Sequence, residues 1–179
     1  MRRQATIGIG DKGSIPFGDD RQSIEKHLDD LIERMSVEER NEARSIEDAK
    51  SRTIAWYDRL HRSYYGVPLT REQASELTVF LNDVAADSVR KWNARQLAEA
   101  LHLIDDDIGS SGLTGHEREI LRAEVRGLRD DLERSPRYRP EHDAQLASMM
   151  RLIGNAPVAW AEKNMLRLEP FLGRHRWWL

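Results

Sequence analysis

The chain has no cysteine, which excludes disulfides and thiolate metal sites and leaves the redox compartment open. Lysine is scarce too, with 5 Lys against 23 Arg, so basic contacts fall to a side chain suited to bidentate and stacking geometry. No apolar run approaches the roughly 18 residues of a membrane span. The first residues, MRRQATIGIG, lack the apolar core of a secretory signal. These absences imply a soluble, cytoplasmic protein without a membrane partner. No segment alternates apolar and polar residues with period two, so no strand is expected. No G-x-S-x-G, Walker or H-E-x-x-H motif occurs.

What is present is charge and helical periodicity. Of 179 residues, 33% are charged and 7% aromatic, more charged than an average domain but too rich in periodic apolar residues for a disordered chain. The length suggests one domain. Net charge is −3 and uneven: residues 1–22 carry +1, residues 23–143 carry −7 and residues 144–179 carry +3.

The stretch 36–66, SVEERNEARSIEDAKSRTIAWYDRLHRSYYG, reads as one long central helix. Ser36 and Glu39 form a capping box, Gly66 closes the helix, and Pro68 forbids continuation. About 29 residues would give a rod of about 43 Å. Ile46, Ala49, Thr53, Trp56, Tyr57, Leu60 and Tyr64 form its apolar stripe.

Other helices follow by the same logic. Residues 23–35 place Ile24, Leu28, Leu31, Ile32 and Met35 on one face, with Ser23 as cap. Thr70 and Gln73 cap a helix that buries Ala74, Leu77, Phe80, Leu81 and Val84. Its pattern weakens near residues 86–92, and Asn93 reads as a fresh cap before Leu97, Leu101, Ile104 and Ile108. Thr114 and Glu117 open a helix over 115–134 with Leu121, Val125, Leu128 and Leu132 inward. Ala144, Ala147, Met150 and Ile153 mark the buried face of 141–153. Val158, Ala161, Met165 and Leu168 mark that of the last helix, ended by Pro170. The expected architecture is all-α, six to seven helices in a bundle or irregular helical domain. It divides into an extended Gly-rich N-terminal arm over 1–22, a single helical domain over 23–170, and an aromatic and basic tail over 171–179.

Two concentrations of Arg are candidate partner surfaces. Arg118, Arg122, Arg126 and Arg129 lie within about 80° of one another on a helix, and Arg134, Arg137 and Arg139 extend the run. They suit phosphates or an acidic protein surface, with internal salt bridges as the alternative. In the tail, Arg174, Arg176, Trp177 and Trp178 suit base stacking or a protein hot spot, unless the indoles fold back onto the core.

Several short motifs match by letter. Gly8-x-Gly10-x-x-Gly13 matches the dinucleotide-binding fingerprint, but no strand precedes it and Pro16 follows. Asp29-Asp30-x-x-Glu33 resembles the paired-carboxylate motif of prenyl-transfer enzymes, which needs a second copy. His142-Asp143 resembles part of the HD phosphohydrolase set, which needs a later Asp; none follows Asp143. Glu99-x-x-His102 is half of a ferritin-like pattern, and Glu39-x-x-Glu42 starts a MazG-type one. Arg95-x₆-His102 resembles the R-x₄₋₆-H signature of the HEPN ribonucleases, which implies an all-α fold and metal-independent RNA cleavage by Arg and His together. Gln96 follows the Arg where that family often has Asn, Asp or His. Arg21 with His27 and Arg137 with His142 fit the same spacing.

No cofactor and no metal site is expected. The leading expectation is a non-catalytic helical interaction protein, a subunit, adaptor or inhibitor in a larger bacterial, plasmid or phage assembly, with a protein partner and room for homo-oligomers. The alternatives are a nucleic-acid-binding helical subunit of a nucleoprotein complex and a HEPN-like ribonuclease using Arg95 and His102.

Overall fold

The periodic apolar residues fold into seven α-helices, with no strand among the described residues, 17–172 with 177 and 178, of the computed structural model. The helices are α1 (Arg21–Glu33), α2 (Val37–Asn41), α3 (Ala43–Tyr65), α4 (Arg71–Asp107), α5 (Gly115–Arg134), α6 (Glu141–Ile153) and α7 (Val158–Leu168). Short 3₁₀ turns occupy Gly18–Asp20, Ile108–Ser110 and Glu169–Leu172. The capping boxes at Ser36, Thr70 and Thr114 are all formed. No helix among the described residues is long and apolar enough to cross a membrane.

The centre is α4, not the 36–66 stretch. Its 37 residues make a spine of about 55 Å. Its first half meets α3, where Lys50 donates to Asn82 at 2.6 Å, and its middle meets α1, where Lys91 pairs with Asp29 at 2.6 Å. Its second half meets α5, where Arg126 reaches Asp105 at 3.1 Å, and α7, where Lys163 reaches Asp107 at 2.9 Å. The break expected near 86–92 does not occur, and Asn93 caps nothing. The inward face simply continues through small and polar residues: Ala85, Ser88, Val89, Asn93 and Ala94 are all buried. An apolar count loses such a face; the close approach of neighbouring helices explains it.

The 36–66 helix divides at Glu42, whose backbone is extended (φ −86°, ψ 114°). In one continuous helix Val37 would sit about 180° from Ile46. The break turns both inward: Val37, Arg40, Ile46 and Ala49 are buried. The far end of the expected stripe leaves the core, with Tyr64 78% exposed.

Other expectations need correction by register. In α6 the buried face is His142, Leu146, Met149 and Ile153, while Ala144 and Ala147 are exposed, because the larger side chains one step round fill the space against α5. In α7 Val158 is 71% exposed and Trp160, Ala161, Asn164 and Leu168 are buried. Helix α1 starts at Arg21, so Ser23 is an exposed helical residue and not the cap. Of the arm expected over 1–22, residues 17–22 belong to the fold and 1–16 lie outside the described residues. Phe17 adopts a left-handed backbone (φ 67°) and sets its ring edge-on to Tyr57 at 5.8 Å and against Phe80 at 6.0 Å.

Two glycines are required by geometry. Gly66 ends α3 at φ 75°. Gly112, at φ 71°, faces the Pro157 ring, which a Cβ would approach to 2.9 Å. The connection from α4 to α5 is thereby pressed against the start of α7.

Candidate functional site

The arginines of α5 do not project freely. Arg122 Nε lies 3.6 Å from Asp105 Oδ1, and Arg126 Nε and Arg129 Nη1 lie 3.1 and 3.5 Å from Oδ2. One carboxylate, only 10% exposed, thus serves three guanidiniums. Arg129 also approaches Asp130 and Glu133. Arg118 has no carboxylate partner among the described residues. The stripe therefore joins α5 to α4 and still carries more positive than negative charge. The pairing acids are Asp105 on α4 and Asp130 and Glu133 on α5.

Arg137 and Arg139 are drawn inward as well. Arg137 makes a fork to Asp87 of α4, with Nε at 2.6 Å and Nη2 at 3.0 Å. Arg139 pairs with Asp131. Buried His142 accepts the Arg139 backbone N–H at Nδ1 (3.1 Å), so its Nε2–H donates to Asp131 at 3.0 Å. These donors, His142 first and Arg139 next, hold the Asp131 carboxyl below the usual range. His142 thus pins the 135–140 connector to α5.

The tail tryptophans are structural anchors. Trp178 is 2% exposed, donates its indole N–H to Asn41 Oδ1 at 3.1 Å, and meets the Tyr138 ring edge-on at 5.5 Å. Trp177 donates to the Arg40 carbonyl at 3.0 Å. This internal use removes Trp178 from the accessible candidates. Arg174 and Arg176 lie outside the described residues.

Beneath the tail sits a buried polar hub centred on Arg40. Its guanidinium donates to the carbonyls of Ile32 (3.0 Å) and Glu33 (3.1 Å), to Asn93 Oδ1 (3.1 Å) and to Gln96 Oε1 (2.7 Å). The two carbonyls belong to the last turn of α1, where the helix supplies no further i+4 amide; Ile32 also accepts the Met35 N–H at 3.2 Å, and Arg40 adds a side-chain donor to each. Burial pulls Arg40 down to about 10, against the pull of Glu33 and Glu39, and the group stays charged at neutral pH.

The HEPN-like pair shows no shared geometry. Arg95 and His102 are both more than half exposed, two helical turns and about 10 Å of rise apart. Arg95 stands over the Trp92 ring at 5.3 Å and 3.8 Å from Glu99, and His102 lies 3.9 Å from Asp106. Each side chain has its own carboxylate one turn on.

A cleft of ≈ 490 Å³ opens between α1 and α4 over Phe80 and Val84. Its rim charges are mostly paired with one another, Arg21 with Glu25 and Lys91 with Asp29. Asp29, first of the paired carboxylates in the 29–33 motif, also accepts from Trp92 Nε1 at 2.9 Å, and Asp30 is held by Lys26. Burial is the largest influence on Asp29 and opposes its ionisation. The donors Lys91, Ser88 and Trp92 together outweigh it and hold the carboxyl below the usual range. The stability it contributes is complete above the ordinary carboxylate pKa and lost as pH falls through the depressed one. Asp29→Asn should flatten the acid limb of the stability profile below about pH 4. Urea melts across that range check this, and an unchanged limb would contradict it.

One constellation was not singled out from the sequence. His27 of α1 and Trp56 of α3 stack at 4.2 Å with ring planes 4° apart. Arg52 and Arg59 stand one turn to either side of Trp56, both exposed. The ion pairs of α3 among the described residues are Lys50–Glu47 and Arg62–Asp58, and Arg52 and Arg59 take part in none. Burial lowers the His27 pKa; Asp30 raises it, and Arg52 and Arg59 lower it further. The available signal was the R-x₃-W-x₂-R spacing, hidden because Trp56 also fits the core stripe.

Comparison of the chain with family models, curated proteins and solved structures returns no match.

Proposed function

We propose that the chain is a non-catalytic helical interaction protein, a subunit or adaptor of a larger assembly, that docks an acidic protein surface on the arginine face of α5. The observation that carries this reading is the sharing of Asp105 by Arg122, Arg126 and Arg129, with Arg118 unpaired on the same strip. The shared carboxylate fixes the guanidiniums in place without neutralising them. Preorganised guanidiniums lose less side-chain freedom on binding and meet carboxylates in bidentate geometry. The rigid spine of α4 holds the face, so binding needs no rearrangement of the domain.

The test is titration of the protein with a labelled oligoglutamate peptide at rising salt. Binding that weakens with salt is expected. Arg118→Glu with Arg126→Glu should weaken it by about tenfold, equivalent to roughly 1.4 kcal/mol. An affinity insensitive to that pair, in a variant with an unchanged helical spectrum, overturns the reading.

A further inference from the structure

We infer that the α1–α3 face formed by His27, Arg52, Trp56 and Arg59 is a contact site for single-stranded nucleic acid, distinct from the α5 face. Three observations converge there. Arg52 and Arg59 are exposed and, like Arg44 at the start of α3, take part in no ion pair among the described residues, while the helix's remaining cations Lys50 and Arg62 are matched to Glu47 and Asp58. An indole lies between them, at i+4 from Arg52 and i−3 from Arg59, so all three share one strip of α3. That indole is held by a near-parallel imidazole from another helix.

Each part has a counterpart in a single strand. The guanidiniums meet phosphate oxygens, and the aromatic stack offers a platform that an unstacked base can extend or cap. A duplex presents its phosphates but keeps its base faces covered. An acidic peptide satisfies the arginines and has no use for the rings. The His27 imidazole, neutral at pH 7 by its depressed pKa, adds a π-face rather than a charge. The nearby acids do not cancel the face: Asp30 is taken by Lys26, Asp58 by Arg62 and the Leu69 amide, and Asp48, one turn before Arg52, forms no ion pair with it. The net charge of −3 does not oppose a contact this local, since potentials at the surface are set within about 8–10 Å.

Fluorescence anisotropy with labelled oligouridylate and oligodeoxythymidylate, at several salt concentrations, tests the assignment. Binding is expected, with log K falling against log salt by about 0.7 for each phosphate contacted. Arg52→Gln with Arg59→Gln, both exposed and harmless to the core, should lower affinity and the salt slope together. Trp56→Leu should lower affinity by about tenfold while leaving the slope nearly unchanged. Its thermal melt is recorded alongside, and the arginine pair keeps the test decisive should Trp56→Leu unfold. Absence of binding at low salt, or binding indifferent to Arg52 and Arg59, overturns the proposal. So does equal affinity for duplex, or an oligoglutamate affinity that needs the arginines but not the indole. Because Arg118→Glu with Arg126→Glu leaves this face intact, loss of oligonucleotide binding in that variant would place the site on α5 instead.

Discussion

Arg40→Ala should lower the stability of the domain by about 4 kcal/mol, because it removes the donor of two buried hydrogen bonds, to the Ile32 carbonyl and Asn93, at roughly 1–3 kcal/mol each, and of two part-buried ones, to the Glu33 carbonyl and Gln96, which water partly replaces. For a chain of this size that corresponds to a fall in Tm of about 8–16 °C. The side chain is 1% exposed, and no carboxylate lies within ion-pair distance of it among the described residues. Its work is hydrogen bonding: two carbonyls at the end of α1 and two amide oxygens from the middle of α4 converge on one planar fork. Arg40→Lys, which keeps the charge but loses the fork, should recover only part of the loss. Arg40→Met separates the causes. It fills the volume and removes the buried charge, yet leaves Asn93 Oδ1, Gln96 Oε1 and the Glu33 carbonyl without this donor. Wild-type stability in Arg40→Met would show that packing, not acceptor satisfaction, holds this junction. Urea unfolding followed by circular dichroism measures all three.

Trp178→Ala should cost about 3–5 kcal/mol, the range for a fully buried aromatic side chain. The indole is lost from beside Tyr138, and Asn41 loses its best donor. Asn41 in turn donates to the Pro170 carbonyl, so the tail and the Glu169–Leu172 turn loosen together. The effect is expected to be coupled to Arg40, since the Arg40 carbonyl receives the neighbouring Trp177 N–H and Arg40 Nη1 bonds Asn93, which reaches Asn41 at 3.5 Å. A double-mutant cycle should give an interaction of about 0.5 kcal/mol or more. A loss under 1 kcal/mol for Trp178→Ala would mean that the tail rests on the domain without supporting it.

The two basic regions show how far residue spacing reaches. Arg118, Arg122, Arg126 and Arg129 share a face because the helix repeats every 3.6 residues, and that much is readable from the chain. That Asp105 would be shared by three of them depends on the crossing of α4 and α5, which no local pattern encodes. Conversely, Arg52, Trp56 and Arg59 were readable as a strip, but Trp56 was assigned to the core stripe, because a half-buried indole and a buried one have the same letter. His27 could not have been placed on Trp56 from spacing at all. The same holds for α4: its middle turns bury Ser88 and Asn93, so the apolar rhythm fades where the packing is closest.

The sequence by itself determined the all-α class, the three capping boxes and the extents of α5 and α6, because caps and helical periodicity act between residues three or four apart. Only the tertiary structure decided that α4 is the spine, that Glu42 breaks the second apolar stretch, and which polar groups are spent inside the molecule. Arg40 meets Asn93 across 53 positions and Trp178 meets Asn41 across 137. Such pairs form only once helices cross. The order of letters therefore shows which residues can share a helix face, and the crossing of helices decides which of those faces remain open to a partner.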